Sequence, residues 1–254
     1  MRKTCIILFG FLLFESLAFG QQATRNDINE FNSFLGEEKA NALNAAVESL
    51  DQFLSTNYSN LNSYSSRTRA FLEQMYNLNE PDSMWKFETE KNLKIIEAFG
   101  TSGLRKEIWL YDDEKYDSKY NIQEFLKPRD HDSLPITDLG KLNLELIESE
   151  IIPLYDIDSV ESAKFYKDME ERNKTSPWTN INGQFLYGLA KYTLSDSLIQ
   201  EYVESYGSVM SPAVIAYSFL ERDINYDDPF VKRIIVYQFY YRIMERDIRR
   251  KEIK

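Results

Sequence analysis

The chain has 254 residues, 43% of them hydrophobic, with 17 Tyr and 16 Phe, and carries 41 acidic against 30 basic side chains for a net charge of −11. Such a charge is repelled by phosphate backbones and anionic lipid surfaces, so nucleic acid is not an expected partner. One cysteine, Cys5, and one histidine, His131, leave little room for thiol, disulfide or imidazole chemistry.

Residues 1–20 have the build of a cleavable secretory signal peptide. Arg2 and Lys3 form a cationic head, and Cys5 to Phe14 form an apolar run too short to cross a bilayer. Ala18 and Gly20 place small residues before a predicted cut after Gly20. The expected product is secreted or periplasmic, with no membrane span after cleavage. It carries no cysteine, so its stability must come from packing. Without Arg2, Lys3 and Glu15 the balance becomes 28 basic to 40 acidic residues, a net charge of −12.

A polar lead-in is expected over 21–36, then one helical domain over 37–254. Glu37 to Asn57 reads as a helix, because Leu43, Ala46, Val47, Leu50, Phe53 and Leu54 recur at 3–4 spacing. After the Asn57–Asn60 turn, Leu61, Tyr64, Phe71, Leu72 and Met75 mark a second helix, predicted to fold back on the first. A third runs from Met84 to Phe99, with Gly100 as the expected left-handed residue beyond its end. Leu104 to Tyr111 fits helix or strand, and Asp112 to Tyr120 reads as a solvated loop. The polar stretch 112–137 is where a seam between two subdomains would fall. Leu139, Leu142, Leu146 and Ile147 restore a helical pattern that ends before Pro153, and a polar helix is expected from Asp158 towards Asn173.

The last third is the most apolar. Ile181–Leu194 and Ser197–Tyr206 read as short helices, and Ser211-Pro212 and Asp228-Pro229 each place a capping side chain before a proline at the first helical position. Ile234 to Met244 is apolar nearly all round, which predicts a buried central helix. The expected fold is all-α: an irregular bundle of about seven to nine helices with a nearly all-apolar C-terminal helix at its centre.

Site chemistry is sparse. His131 lies between Asp130 and Asp132 in a polar stretch, where flanking carboxylates favour the imidazolium and spoil it as a base. Glu107, beside Trp109 and Tyr111, and Glu201 and Glu204, next to Tyr202 and Tyr206, are the carboxylates nearest rings that could stack on a sugar. They are the candidates if the protein is a hydrolase; their spacing also fits solvated faces of amphipathic helices. Acidic groups at Asp112–Glu114, Asp156–Asp158 and Asp223–Asp228 lack the Gly-centred loop of a calcium site, so no metal is expected. Gly100-Thr-Ser-Gly103 lacks the Lys-Ser/Thr of a phosphate loop, so no cofactor is expected either. The basic tail from Arg246 to Lys254 complements the negative end of a helix.

Four Asp-Ser-apolar triplets, at Ser83, Ser133, Ser159 and Ser197, stand above the frequency set by composition. Each resembles the acceptor triplet of the O-glycosylation system of exported Bacteroidetes proteins. The resemblance implies a glycan on those hydroxyls, whereas the same triplet is also a helix-start signal.

The functional expectation is a non-catalytic binding module of an exported helical protein. An immunity or inhibitor protein with a basic protein target is one concrete form. The alternatives are a carboxylate-dependent hydrolase of extracytoplasmic glycans and an envelope scaffold protein.

Overall fold

The computed structural model of the chain describes residues 27–77, 85–111, 113–125, 177–194, 196–205 and 212–252. The predicted leader, the helices predicted within 138–173, His131, and Ser83, Ser133 and Ser159 lie outside the described residues. Within them the protein is an all-α multi-helix bundle.

Helix formation begins earlier than the polar lead-in suggests. Residues 27–35 form α1, and its Phe31 and Leu35 are buried. α2 follows at Glu37–Asn57, with the bounds its apolar stripe predicts. Ser63 caps α3 (Tyr64–Tyr76) by accepting from the Ser66 N–H at 3.0 Å. α3 touches α2 through the Phe53–Phe71 ring pair. Its main neighbour is nevertheless a later helix, Pro212–Leu220.

α4 spans Thr89–Thr101 and so runs through Gly100, which the sequence marks as its left-handed terminator. That role falls to Gly103, at φ 76°, between α4 and the short α5 (Leu104–Ile108). The ambiguous stretch 104–111 is helix first and strand second: β1 (Trp109–Leu110) pairs antiparallel with β2 (Trp178–Thr179). A single 3-10 turn follows at Ile122–Glu124. α6 (Gln184–Tyr192), α7 (Ser197–Ser205) and α8 (Pro212–Leu220) then lead to α9 (Pro229–Ile235). Asp228 caps α9, accepting from Phe230 N–H at 2.8 Å and Val231 N–H at 3.1 Å.

α9 runs through one π turn, Val236–Tyr240, into α10 (Tyr241–Glu252). This continuous helix is the axis of the core. Tyr237 stacks on Trp109 at 5.3 Å and Tyr241 on Phe99 at 4.5 Å, while Tyr240 meets Phe53 and Phe239 meets Phe71. It thereby touches α2, α3, α4 and β1 at once. Each such ring buries an amount of apolar surface worth about 1.5–3 kcal/mol.

Among the described residues one charged side chain is buried in this core. Arg233 donates to Pro229 O (2.9 Å), Asn44 Oδ1 (2.6 Å) and Asn32 Oδ1 (3.3 Å), tying α1 and α2 to α9. Burial pulls its guanidinium down to about 10, against a smaller opposing pull from Asp228, so it stays protonated at neutral pH. Among the described residues no helix is long and apolar enough to cross a membrane.

Candidate functional site

Glu107 is the most connected of the three candidate carboxylates. It sits on α5 with 12% of its side chain exposed and forms an ion pair with Lys39 of α2. Its Oε2 accepts from the Tyr116 hydroxyl and, at 2.9 Å, from the Gln184 backbone N–H at the start of α6. Lys39 also donates to Gln184 Oε1 at 2.7 Å, and Gln184 Nε2 donates to Phe34 O of α1 at 2.6 Å. One carboxylate thus joins α2, α5, α6 and the loop carrying Tyr116, and the Gln184 side chain extends the network to α1. Gly183 permits the approach of α6 to α5: a Cβ there would lie 1.9 Å from the Glu107 carbonyl oxygen. Burial, with Glu107 adding to it, pushes the Tyr116 phenol well above its usual range. That phenol is held as a neutral donor to the carboxylate.

Next to this node lies a cluster of rings. Phe34 of α1 meets Tyr120 at 5.5 Å, Tyr187 at 5.8 Å and Tyr192 at 5.7 Å, and Phe125 meets Tyr187 at 5.0 Å. All five are half-buried. Lys191 lies 5.5 Å from the Phe34 ring and 5.0 Å from that of Tyr192. The Tyr187 hydroxyl donates to exposed Glu124 at 3.4 Å. The loop that brings Tyr120 here is pinned by Ser118, whose hydroxyl reaches Tyr120 O at 2.8 Å and Asn182 O at 2.9 Å. Glu107 and the rings form one unit, with the buried polar node holding the segments that carry the aromatic platform.

The other candidates fall elsewhere. Glu201 is exposed on α7 and ion-paired with Arg222 at 2.6 Å. Glu204, half-buried on the same helix, sits near Tyr202, whose ring is buried against Phe219. The structure brings neither to Glu107. Ser197 is exposed at the start of α7, and Asp196 caps that helix by accepting from Ile199 N–H at 3.1 Å. The triplet there is a helix start that also leaves its hydroxyl open. In the acidic group 223–228, Asp228 is a cap, as its sequence position predicts, and Asp227 lies 3.7 Å from Lys232. Glu114 is held by Arg105 through both guanidinium nitrogens. Among the described residues no group of three potential ligands is placed to hold a metal.

In the basic tail, Arg249 pairs with Glu245 at 2.8 Å and Lys251 with Asp247 at 2.6 Å. Lys251 also donates to Thr89 at 2.7 Å. Those cations serve the chain's own fold. Sequence reasoning missed the platform, since its rings come from α1, the 113–125 loop and α6, and no local spacing links them.

No protein-family model, curated protein or solved structure matches this chain.

Proposed function

We propose that the chain is an exported, non-catalytic binding protein that engages a basic protein partner through the platform of Phe34, Tyr120, Phe125, Tyr187 and Tyr192. The observation that carries this reading is the platform itself: five contiguous half-buried rings, three of them tyrosines, backed by a fully engaged polar node. Tyrosine supplies large contact area with little side-chain entropy to lose, which makes such rings frequent anchors of interfaces. The acidic excess adds long-range attraction to a basic target, speeding encounter. An inhibitor or immunity role outside the cytosol combines these traits with the leader-like N-terminus.

Glu107 supports binding over hydrolysis. Its oxygens are committed to Lys39, Tyr116 and the Gln184 N–H, so it holds structure instead of facing substrate. The test is capture with residues 21–254 from envelope and secreted fractions at low and high salt. A basic partner retained at low salt and shed at high salt is expected. Turnover of glycan by the purified protein, with no salt-sensitive partner, would overturn the reading in favour of a hydrolase.

A further inference from the structure

A second site lies away from the platform, where α2 meets residues 85–88 ahead of α4. Asn57 clamps this segment at one end: its Oδ1 accepts from Lys86 N–H at 2.7 Å and its Nδ2 donates to Lys86 O at 3.1 Å. Gln52 holds the other end by donating to Glu88. Between the clamps is a cleft of about 90 Å³. Its walls are the rings of Phe53 and Phe87, stacked at 5.1 Å and 27°. Its polar end is Ser49 and Tyr240, whose hydroxyls lie 2.8 Å apart. Tyr240 comes from the π turn of the central helix, and such turns recur at functional sites. Ser49 also donates to Asn92 Oδ1 at 3.0 Å, and that amide, 1% exposed, closes the floor from behind.

The mouth carries Lys86 and Glu88, both exposed. Both line the cleft, so a cation and an anion stand at its rim. Neither is spent in an ion pair among the described residues.

We propose that this cleft binds a free zwitterionic α-amino acid with a small aliphatic side chain. Glu88 takes the ammonium, Lys86 takes the carboxylate, and the side chain lies against Phe53 and Phe87. The two charged contacts select molecules carrying both charges, and the volume excludes an indole-sized side chain. The site is independent of the platform and its partner.

Isothermal titration of residues 21–254 tests it, with L-leucine, its amine analogue isoamylamine and its acid analogue 4-methylpentanoate. Leucine should bind with a dissociation constant on the order of 0.1 mM to 1 mM, and each singly charged analogue about tenfold more weakly or worse. Lys86→Ala, whose clamp by Asn57 is through the backbone, and Glu88→Gln, which keeps an acceptor oxygen for Gln52, should each weaken leucine about tenfold at unchanged circular dichroism and melting temperature. No heat at about 10 mM leucine, equal binding of either analogue, or undiminished binding by both charge variants would overturn the proposal.

Discussion

Glu107 joins four segments through a carboxylate that water barely reaches, so its charge matters as much as its shape. Glu107→Gln keeps the volume but leaves the Lys39 ammonium without its anion. Removing one member of a partly buried pair is far more damaging than never having built it. The variant should lose about 2 kcal/mol in urea unfolding. Amide exchange should rise in 113–121 and at the start of α6, the segments its oxygens hold. An unchanged midpoint with unchanged exchange would remove Glu107 from its place as the platform's support. Glu114 gives a pH signature of its own. Hydrogen bonds from Arg105 pull its carboxyl from the usual 4.5 down to about 2, against some opposing burial. The folded state therefore favours the ionised form, and this contribution is complete above about 4.5 and lost as pH falls towards 2. Glu114→Gln should flatten that limb of the stability–pH curve, measured by denaturant midpoints between those two values.

At the level of elements, the α4–α5 junction separates two glycines that look alike in sequence. Gly100 lies inside a helix with open space around its Cβ position, whereas Gly103 sits at φ 76°. Gly100→Ala should therefore stabilise the protein by about 0.5–1 kcal/mol, by restricting the unfolded chain and favouring helix. Gly103→Ala should cost about 1–2 kcal/mol, because its Cβ crowds the backbone in the left-handed region. Thermal unfolding of the pair decides the assignment, and equal effects would contradict it. The same junction shows where sequence was legible. α2 could be bounded from its stripe because one face of a long helix does all its packing, and Asp228-Pro229 announced a capped start. The terminator of α4 was hidden because the Gly-Thr-Ser-Gly stretch offers two glycines, and only tertiary packing chooses between them. α1 was hidden as well. Ile28, Phe31, Phe34 and Leu35 do recur at helical spacing, but the intervening polar residues and the short length masked the period. Its docking depends on distant partners, Phe31 against Phe185 and Phe230, and Asn32 on Arg233. Arg233→Met should loosen α1 and the turn of α2 around Asn44, seen as faster amide exchange over 27–35 and near residue 44 while the rest of α2 stays protected.

For the whole molecule, one central helix organises both surfaces of interest. Tyr237 packs on Phe185, which meets Phe31 beneath the platform, and Tyr240 floors the cleft beside α2. The all-α class and the buried C-terminal helix were readable because apolar residues surround that helix on every side. The platform was not, since Phe34, Tyr120, Phe125, Tyr187 and Tyr192 meet only after the Glu107 node has drawn their segments together. On the proposed binding role, acidic charge spread over such a bundle speeds encounter with a basic partner, while the rings set how long it stays. The most direct test is therefore quantitative capture by the wild type beside the Tyr120→Ala/Tyr187→Ala double variant, with folding verified by circular dichroism. The account predicts that the salt-sensitive basic partner dissociates at least about tenfold faster from the double variant, at a nearly unchanged association rate. Equal dissociation rates for the two proteins would contradict it and move the interaction surface elsewhere on the molecule.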